Sequence, residues 1–324
     1  MTLVEMLVSV SVLAVMILSV SAIMVQSQRF ISIAQASRRS HRLAASISRI
    51  IRSDLRQLSF DGFLCISTAE KDSTPLLAFT TAGISHTIAY VGTNSSGAGK
   101  LVCYGQVENG ADDFEKTGDY LLWRPAFVLT GDGSNPSYDK HGGSLADILK
   151  MKRADIHRNL IEGSQGVRSL QGDADGEIKV PVSNEYNNIR KLWQVLARDC
   201  DGLSIMWTDG QTVIDPTKPG TRNLKWYGIE ARLKNTNPLK PEYDYVPVRM
   251  DPPDPAIEDP SENSGNDYRA LWTHEDQTNW PRAVKVRFAI RDPRLLDYLP
   301  KEMRNKEHVF SRGYLYEIIV NVGQ

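Results

Sequence analysis

The loop GDADGE, residues 172–177, places three carboxylates close together in the chain. Asp173, Asp175 and Glu177 alternate with other residues, so their oxygens could bind one hard cation such as calcium. The loop lacks the distant glutamate that completes an EF-hand. It is therefore a candidate calcium site, and the sequence otherwise predicts no cofactor.

The histidines and the glycine-rich stretches do not form a catalytic constellation. The six histidines lie far apart in the chain and none belongs to an H-E-x-x-H motif. No G-x-S-x-G motif is present. The stretch GTNSSGAGKL fails as a phosphate-binding loop, because Asn94 replaces the first glycine and Leu101 follows Lys100. It is predicted to be a turn between strands, and the sequence as a whole predicts a protein that is not an enzyme.

The three cysteines, Cys65, Cys103 and Cys200, are too few and too scattered for a disulfide framework or a zinc site. At most one disulfide could form within the chain. Cys65 and Cys103 both lie in strand-like runs and are the predicted pair. The alternative is three buried thiols without a disulfide.

One carboxylate, Glu5, interrupts an apolar stretch that runs from Met1 to Val25 without glycine or proline. About twenty apolar residues span a bilayer core, so this stretch is a candidate transmembrane helix. A carboxylate at such a depth is costly and indicates a function that involves a positive partner. No lysine or arginine precedes Arg29, so the partner would be an α-amino group, of this chain or of a neighbouring copy. The alternative is a glutamate that lies among the lipid headgroups without a partner.

A cleaved secretory signal peptide is another interpretation of this apolar stretch. Signal peptides carry a basic n-region, a shorter apolar region and a cleavage site with small residues. No basic residue precedes the apolar run here, and the following Ser-Gln-Ser-Gln-Arg does not resemble a cleavage site. The sequence therefore favours a retained helix.

The helical pattern continues beyond the length of a membrane span. Through residues 26–58 apolar side chains recur every three or four positions, which predicts an amphipathic helix. The first glycine is Gly62 and the first proline is Pro75. We therefore expect one helix from about residue 2 to 58, roughly 85 Å long. Its second half would pack on a globular body that comprises residues 59–324.

The charges are distributed unevenly, although the whole chain has a net charge of −1. Residues 26–58 contain seven arginines and one acidic residue, Asp54, which gives a local charge of +6. Because Glu5 contributes −1, the body must carry −6. A basic segment can bind nucleic acid or lipid phosphates. Arginines on the polar face of a packed helix, facing acidic neighbours, explain it better, so no nucleic-acid partner is expected.

The sequence Met-Thr-Leu-Val-Glu-Met-Leu-Val-Ser-Val, followed by an unbroken apolar helix, resembles the mature N-terminus of type IV pilins and pseudopilins. In that family a prepilin peptidase cuts before the first residue, the new amine is methylated, and a glutamate at this position aligns each subunit with its neighbour. The resemblance therefore implies processing and methylation at Met1. It also implies a role in assembly for Glu5, together with Thr2, Leu3 and Val4.

The orientation in the membrane depends on which interpretation is used. The positive-inside rule, applied to this chain alone, places the arginine-rich segment in the cytoplasm. The resemblance implies the bacterial inner membrane, a single pass, and a body in the periplasm or on an extracellular filament. The two agree only if a basic leader preceded Met1 and was removed after insertion.

The body is predicted to be rich in antiparallel β-structure, with turns of glycine, proline, asparagine and serine between short strands. Residues 130–190 look like an insertion, with helices expected at 144–161 and 185–196. Residues 236–280 are rich in proline and acids and are expected to form an exposed or partly disordered loop. The predicted strands are Phe63–Ser67, Leu76–Thr81, Thr87–Gly92, Leu101–Gly105, Tyr120–Leu129, Gly202–Trp207, Leu224–Leu233, Ala283–Ile290 and Tyr314–Val322.

The body also resembles one pilin-like subfamily. The segment SRIIRSDLRQL is similar to the end of the long helix in J-type minor pseudopilins of type II secretion systems. The order of GLSIMWTDG, NWPRAVKVRFAI and a tyrosine-rich last strand follows the same subfamily. Ala22 stands where many major pilins have a proline, which implies a minor subunit. The insertion and the acidic loop exceed the usual J-type body, so a related pilus or another filament remains open.

We therefore expect an α+β, pilin-like fold, in which one long N-terminal helix packs on an antiparallel β-sheet body. The expected function is structural, as a minor subunit at or near the tip of a type II secretion pseudopilus or a type IV pilus-like filament. There it would initiate assembly or contact secreted cargo. Its partners would be other pilin or pseudopilin subunits, the prepilin peptidase, the inner-membrane assembly platform and, before assembly, membrane lipid. The alternative is a single-pass, membrane-anchored binding or sensor protein that does not assemble.

Overall fold

A computed structural model describes residues 2–68, 75–86, 96–109, 120–124, 126–129, 177–178, 195–197, 199–214, 220–234, 243–248, 268–274, 280–291 and 314–322. Within these ranges the chain forms one long helix and two main sheets whose strands are almost all antiparallel, which confirms the predicted α+β class. The helix is α1 (Leu3–Arg56), and the strands are β1 (Phe63–Ser67), β2 (Leu76–His86), β3 (Ser96–Asn109), β4 (Tyr120–Trp123), β5 (Ala126–Leu129), β6 (Glu177–Ile178), β7 (Val195–Ala197), β8 (Cys200–Thr208), β9 (Thr212–Ile214), β10 (Arg222–Leu224), β11 (Tyr227–Leu233), β12 (Tyr243–Val248), β13 (Arg269–Thr273), β14 (Ala283–Ile290) and β15 (Tyr314–Asn321).

Helix α1 is a continuous element of 54 residues, as the absence of glycine and proline predicts. At 1.5 Å per residue it is about 81 Å long. It ends where the Gln57 N–H donates to the carbonyls of Asp54 and Leu55. Its residues from Thr2 to Ile31 are exposed, whereas its second half buries one face against the body. The buried residues of that face are Ala36, Ser40, Ala44, Ile47, Ile51, Asp54 and Leu55.

The first sheet begins as an antiparallel meander of consecutive strands. Its path is β13-β1-β2-β3-β4-β7, and β5 and β6 also pair with β3. Strand β13 joins the far edge of β1, with Phe63 opposite Thr273. The sheet thus combines local hairpins with a strand about two hundred residues further along the chain.

The second sheet has five strands in the order β12-β11-β8-β14-β15. Strand β8 is buried along its whole length. Strand β15 alternates instead, with Ile318 and Val320 facing the core and Ile319 exposed. This period of two is expected for a strand with one face on the core.

The two sheets and the second half of α1 share one hydrophobic core. Trp207 is buried in this core, with its ring centroid 4.6 Å from that of Tyr227 and 4.8 Å from that of Trp272. Its indole N–H donates to the hydroxyl of Tyr268 at 2.7 Å. The side-chain oxygen of Gln106 on β3 accepts from the backbone N–H of the next sheet's Leu203 at 2.9 Å. The helix is therefore fixed to a body that is itself one packed unit.

Several sequence-based boundaries are wrong in detail. The predicted loop at 236–280 contains two strands, Tyr243–Val248 and Arg269–Thr273, which pair with β11 and β1. Prolines and acids dominate the composition of that segment, so its composition does not indicate these two short strands. The predicted strand Leu224–Leu233 is interrupted at Lys225 and Trp226, so that Leu224 ends β10 and β11 begins at Tyr227.

The inserted region and the strands beside it also differ from expectation. The end of the helix predicted at 185–196 is strand β7, while its earlier residues lie outside the described residues. The turn predicted for GTNSSGAGKL is wrong for its second half, which belongs to β3. The predicted strand Tyr120–Leu129 is two strands, β4 and β5. The strand expected at 87–92 and the helix expected at 144–161 lie outside the described residues.

The predicted disulfide between Cys65 and Cys103 is not formed. Both residues have Ala78 of β2 as their ladder partner, Cys65 from β1 and Cys103 from β3. Two strand spacings of about 4.8 Å therefore separate their Cα atoms, more than a disulfide can bridge. All three cysteines are buried thiols. Burial raises the pKa of the Cys103 thiol, which keeps it protonated and unreactive.

Candidate functional site: the exposed helix and its anchors

The start of α1 is closed by a capping box formed by Thr2 and Glu5. The backbone N–H of Thr2 donates to Glu5 Oε2 at 2.8 Å, and the N–H of Glu5 donates to Thr2 Oγ1 at 3.4 Å. These bonds satisfy donors that a helix start otherwise leaves without partners. In the single chain, Glu5 therefore binds its own helix terminus. Met1 lies outside the described residues, so its processing stays a prediction.

The apolar first half of α1 is not covered by the rest of the described chain. From Leu3 to Val25 it exposes sixteen large hydrophobic side chains, among them Leu3 at 79% and Val4 at 68% exposure. A soluble monomer rarely exposes a contiguous apolar surface of this extent. The helix is long and apolar enough to span a membrane. Lipid or other apolar helices are the surroundings in which this surface is stable.

Three serines of this segment satisfy their hydroxyl groups within the helix. Ser9, Ser11 and Ser19 each donate to the backbone carbonyl four residues earlier, at 2.8 Å. Polar groups must be satisfied internally when no water is present. The three hydroxyls therefore add little cost to an apolar environment.

The C-terminal end of α1 is anchored to the first sheet through Asp54. Arg124, which follows β4, donates from Nε to Asp54 Oδ2 at 2.7 Å and from Nη2 to Oδ1 at 2.9 Å. The hydroxyl of Tyr104 on β3 also donates to Oδ2. Burial, and then the charge of Asp54, raises the pKa of Tyr104, so this hydroxyl remains a donor. Asp54 is 11% exposed at its side chain, so the pair is largely shielded from water.

The last strand holds α1 near the point where the helix leaves the body. His41 Nδ1 lies 3.1 Å from the hydroxyl oxygen of Tyr316. The His41 ring centroid is 5.2 Å from that of Tyr314 and 5.7 Å from that of Tyr316. Together with the Asp54 anchor, this contact fixes the second half of α1 at both of its ends.

A second buried acid–arginine pair lies within the second sheet, away from the helix. Arg291 Nε lies 2.6 Å from Asp201 Oδ2, and the Tyr243 hydroxyl donates to Oδ1 at 3.0 Å. These residues come from the ends of β14, β8 and β12, so the pair joins three strands. Burial raises the pKa of Asp201 to about 6.

The carboxylates of the candidate calcium loop are not tested by the structure. Asp173 and Asp175 lie outside the described residues, and of Glu177 only the backbone, paired parallel to β3, is described. Among the residues that the structure describes, no three histidine, cysteine or acidic side chains form a metal-binding group.

Sequence reasoning identified Glu5 and the apolar stretch but missed the Asp54 anchor. A signal was present, because Asp54 is the only acid between Glu5 and Asp61 and lies three residues after the apolar Ile51. An acid on the apolar face of an amphipathic helix requires a buried partner. That Arg124 supplies it, seventy residues later, could not be read from spacing.

Comparisons of the chain with protein-family models, with curated proteins and with solved structures find no match. Function must therefore be inferred from the helix itself: an uncovered apolar half that begins with a capped glutamate, joined without a break to a half that is fixed to the body.

Proposed function

We propose that this protein is a minor pilin or pseudopilin subunit, placed at or near the tip of a type II secretion pseudopilus or type IV pilus-like filament. The single observation that carries the proposal is the uncovered apolar half of α1 with Glu5 in its first turn. A filament made from such subunits would bury this surface in a bundle of helices. Before assembly the same surface would lie in the inner membrane.

The role of Glu5 follows from the capping box. Glu5 accepts a neutral backbone N–H in the single chain. On assembly it would exchange this donor for the terminal ammonium group of a neighbouring subunit. A backbone N–H carries no net charge, so the exchange adds the Coulomb attraction between an ammonium group and a carboxylate, which is stronger in an apolar bundle than in water. The exchange would therefore stabilise the one axial register in which Glu5 and the neighbour's terminal ammonium group meet.

The partners of this subunit follow from the same proposal. A prepilin peptidase would expose Met1, and an inner-membrane assembly platform would extract the helix from lipid. Other pilin or pseudopilin subunits would contact the apolar half, and the body, in the periplasm or on the filament, would initiate assembly or contact cargo. The size of the body compared with a compact repeating subunit favours a minor component.

The variant Glu5→Gln tests the proposal in the native membrane. Glutamine is accepted in a capping box, so the variant should keep the helix start while it removes the charge. We expect normal membrane insertion but at least tenfold less subunit in sheared filaments. Val15→Ala is a matched control, since it also changes one exposed residue of the same half. Filaments that contain Glu5→Gln at the wild-type level would refute the proposed role.

A single-pass, membrane-anchored binding or sensor protein is the second candidate. It is favoured by the +6 charge of residues 26–58, which would place the body in the cytoplasm if Met1 is the translational start. Intact mass with N-terminal fragmentation distinguishes the two. An N-methylated Met1 supports the filament, whereas a formylated or unmodified initiator Met1 supports the cytoplasmic anchor.

A further inference from the structure

Five arginines form a straight line on the face of α1 that points away from the body. All five side chains are exposed; they are Arg38, Arg42, Arg49, Arg52 and Arg56. Their separations are four, seven, three and four residues. We call this set the arginine stripe.

The geometry of a helix explains why the stripe is straight. At about 100° per residue the five positions fall within a sector roughly 80° wide, and they extend over about 27 Å. The centre of this sector is opposite the buried residues Ala36, Ile47 and Ile51. The spacing is that of the seam positions through which two helices pack as a coiled coil, with exposed Ala45 at the remaining seam position.

The charges of the stripe are not balanced on its own helix. No acidic residue occurs between Glu5 and Asp54, and Asp54 is bound to Arg124 on the opposite side. None of the ion pairs between described residues includes a stripe arginine. Like charges four residues apart destabilise a helix. The stripe therefore has an electrostatic cost that an acidic partner would remove.

The position of the stripe disfavours two partners. Arg38 lies thirteen residues after Val25, so the stripe begins about 20 Å beyond the apolar segment. Headgroups extend roughly 5 to 7 Å beyond the hydrocarbon core, so more than one Debye length of about 8 Å still separates them from the stripe at physiological salt, and they would attract it weakly. A copy of this chain at the same height would present an identical row of arginines and would be repelled.

We propose that the arginine stripe binds an acidic helix of a different subunit, with aspartate or glutamate at the same three- and four-residue spacing. A helix matches the straight 27 Å row that the spacing defines. The exposed small residues Ala45, Ser46 and Ser53 beside the stripe allow close approach. The partner's identity as a subunit rests on the proposed function. Charge complementarity along the row would select this neighbour and exclude a second copy.

The test uses the full chain in detergent micelles and two synthetic helical peptides of identical composition. The striped peptide carries glutamates at the seam spacing, and the scrambled peptide distributes them around the helix. By fluorescence anisotropy we expect the striped peptide to bind at least tenfold more tightly than the scrambled one. The double variant Arg42→Glu/Arg49→Glu should abolish this preference. The control Arg29→Glu/Arg39→Glu makes the same change in charge outside the sector and should retain it.

Four results would overturn the proposal. Equal binding of both peptides would show only general attraction to a basic segment. An equal loss of the preference for the striped peptide in both double variants would show the same. Displacement of the striped peptide by phosphatidylglycerol added to the micelles as readily as by unlabelled peptide would show a lipid site. Self-association that the stripe variant abolishes would identify a second copy as the partner. Glu5→Gln leaves the stripe intact, so this test and the filament test can fail independently.

Discussion

The two halves of helix α1 have the same backbone geometry but different surroundings. In the first half, from Thr2 to Ile31, every side chain is exposed and most are apolar. In the second half one face is buried in the core of the body, and the opposite face carries arginines. Helices in proteins derive most of their stability from the packing of an apolar face. The second half packs within its own chain, whereas the first half must obtain packing from lipid or from other apolar helices.

The absence of a break between the halves has a mechanical consequence. No glycine or proline lies in α1, and kinks in helices arise almost always at such residues or at comparable defects. The first half therefore cannot fold back on the body to cover itself. The body and the apolar half are held as one rigid element, which suits the proposed subunit, whose helix would enter a bundle while its body remained outside.

The largest expected difference between the halves is their response to truncation of an apolar side chain. Ile51→Ala leaves a cavity in the core that α1 shares with the two sheets and should lower the free energy of unfolding by about 4 kcal/mol. Val15→Ala, at a side chain that is 63% exposed, should change it by less than about 0.5 kcal/mol. Urea unfolding in micelles, followed by tryptophan fluorescence, measures this, since all six tryptophans belong to the body. Similar losses in both variants would mean that the halves fold as one cooperative unit.

The second prediction concerns the anchor that ends the packed half. Asp54→Asn keeps the shape of the side chain but leaves the Arg124 guanidinium without its counter-charge. Breaking a buried pair from one side costs about 3 to 5 kcal/mol. Because Arg124 is 23% exposed, we expect a smaller loss, about 3 kcal/mol or slightly less.

The double variant Asp54→Asn/Arg124→Met is the control for this prediction. It removes both charges and should recover part of the loss, because no unpaired charge remains. If the double variant were as unstable as the sum of the two single variants, the ion pair would not be the cause. Urea unfolding followed by tryptophan fluorescence measures all three variants.

The division of α1 into two halves was predictable from the sequence, but its attachment was not. The apolar run, Glu5 and the three- and four-residue pattern are local features, and local periodicity determines helix type and face. The anchor depends on Arg124 and Tyr104, which lie seventy and fifty residues from Asp54. Likewise β13 pairs with β1 across about two hundred residues. Such pairings arise from tertiary packing, which the composition of a proline-rich segment does not reveal.

The smallest expected effect depends on pH and belongs to the body alone. The pKa of Asp201 is raised by burial from its ordinary value of 3.8 to about 6. The folded state therefore binds this proton more tightly than the unfolded state does. The stabilisation is complete below pH 4 and is lost as the pH rises through about 6, by roughly 2 to 3 kcal/mol.

Subtraction of the Asp201→Asn variant isolates this contribution, because the other carboxylates titrate equally in both proteins. Unfolding in urea at pH 4, 5, 6 and 7 should show the difference in stability, wild type minus variant, falling with pH and becoming flat above about 7. A difference that rises with pH would show that the charge of Arg291 outweighs burial in setting the pKa of Asp201, so that Asp201 is held as a carboxylate at a lowered pKa. Glu5→Gln should leave this profile unchanged, since the exposed half is remote from the second sheet. If Glu5→Gln changed the pH dependence of this stability difference, the two halves of α1 would not be independent.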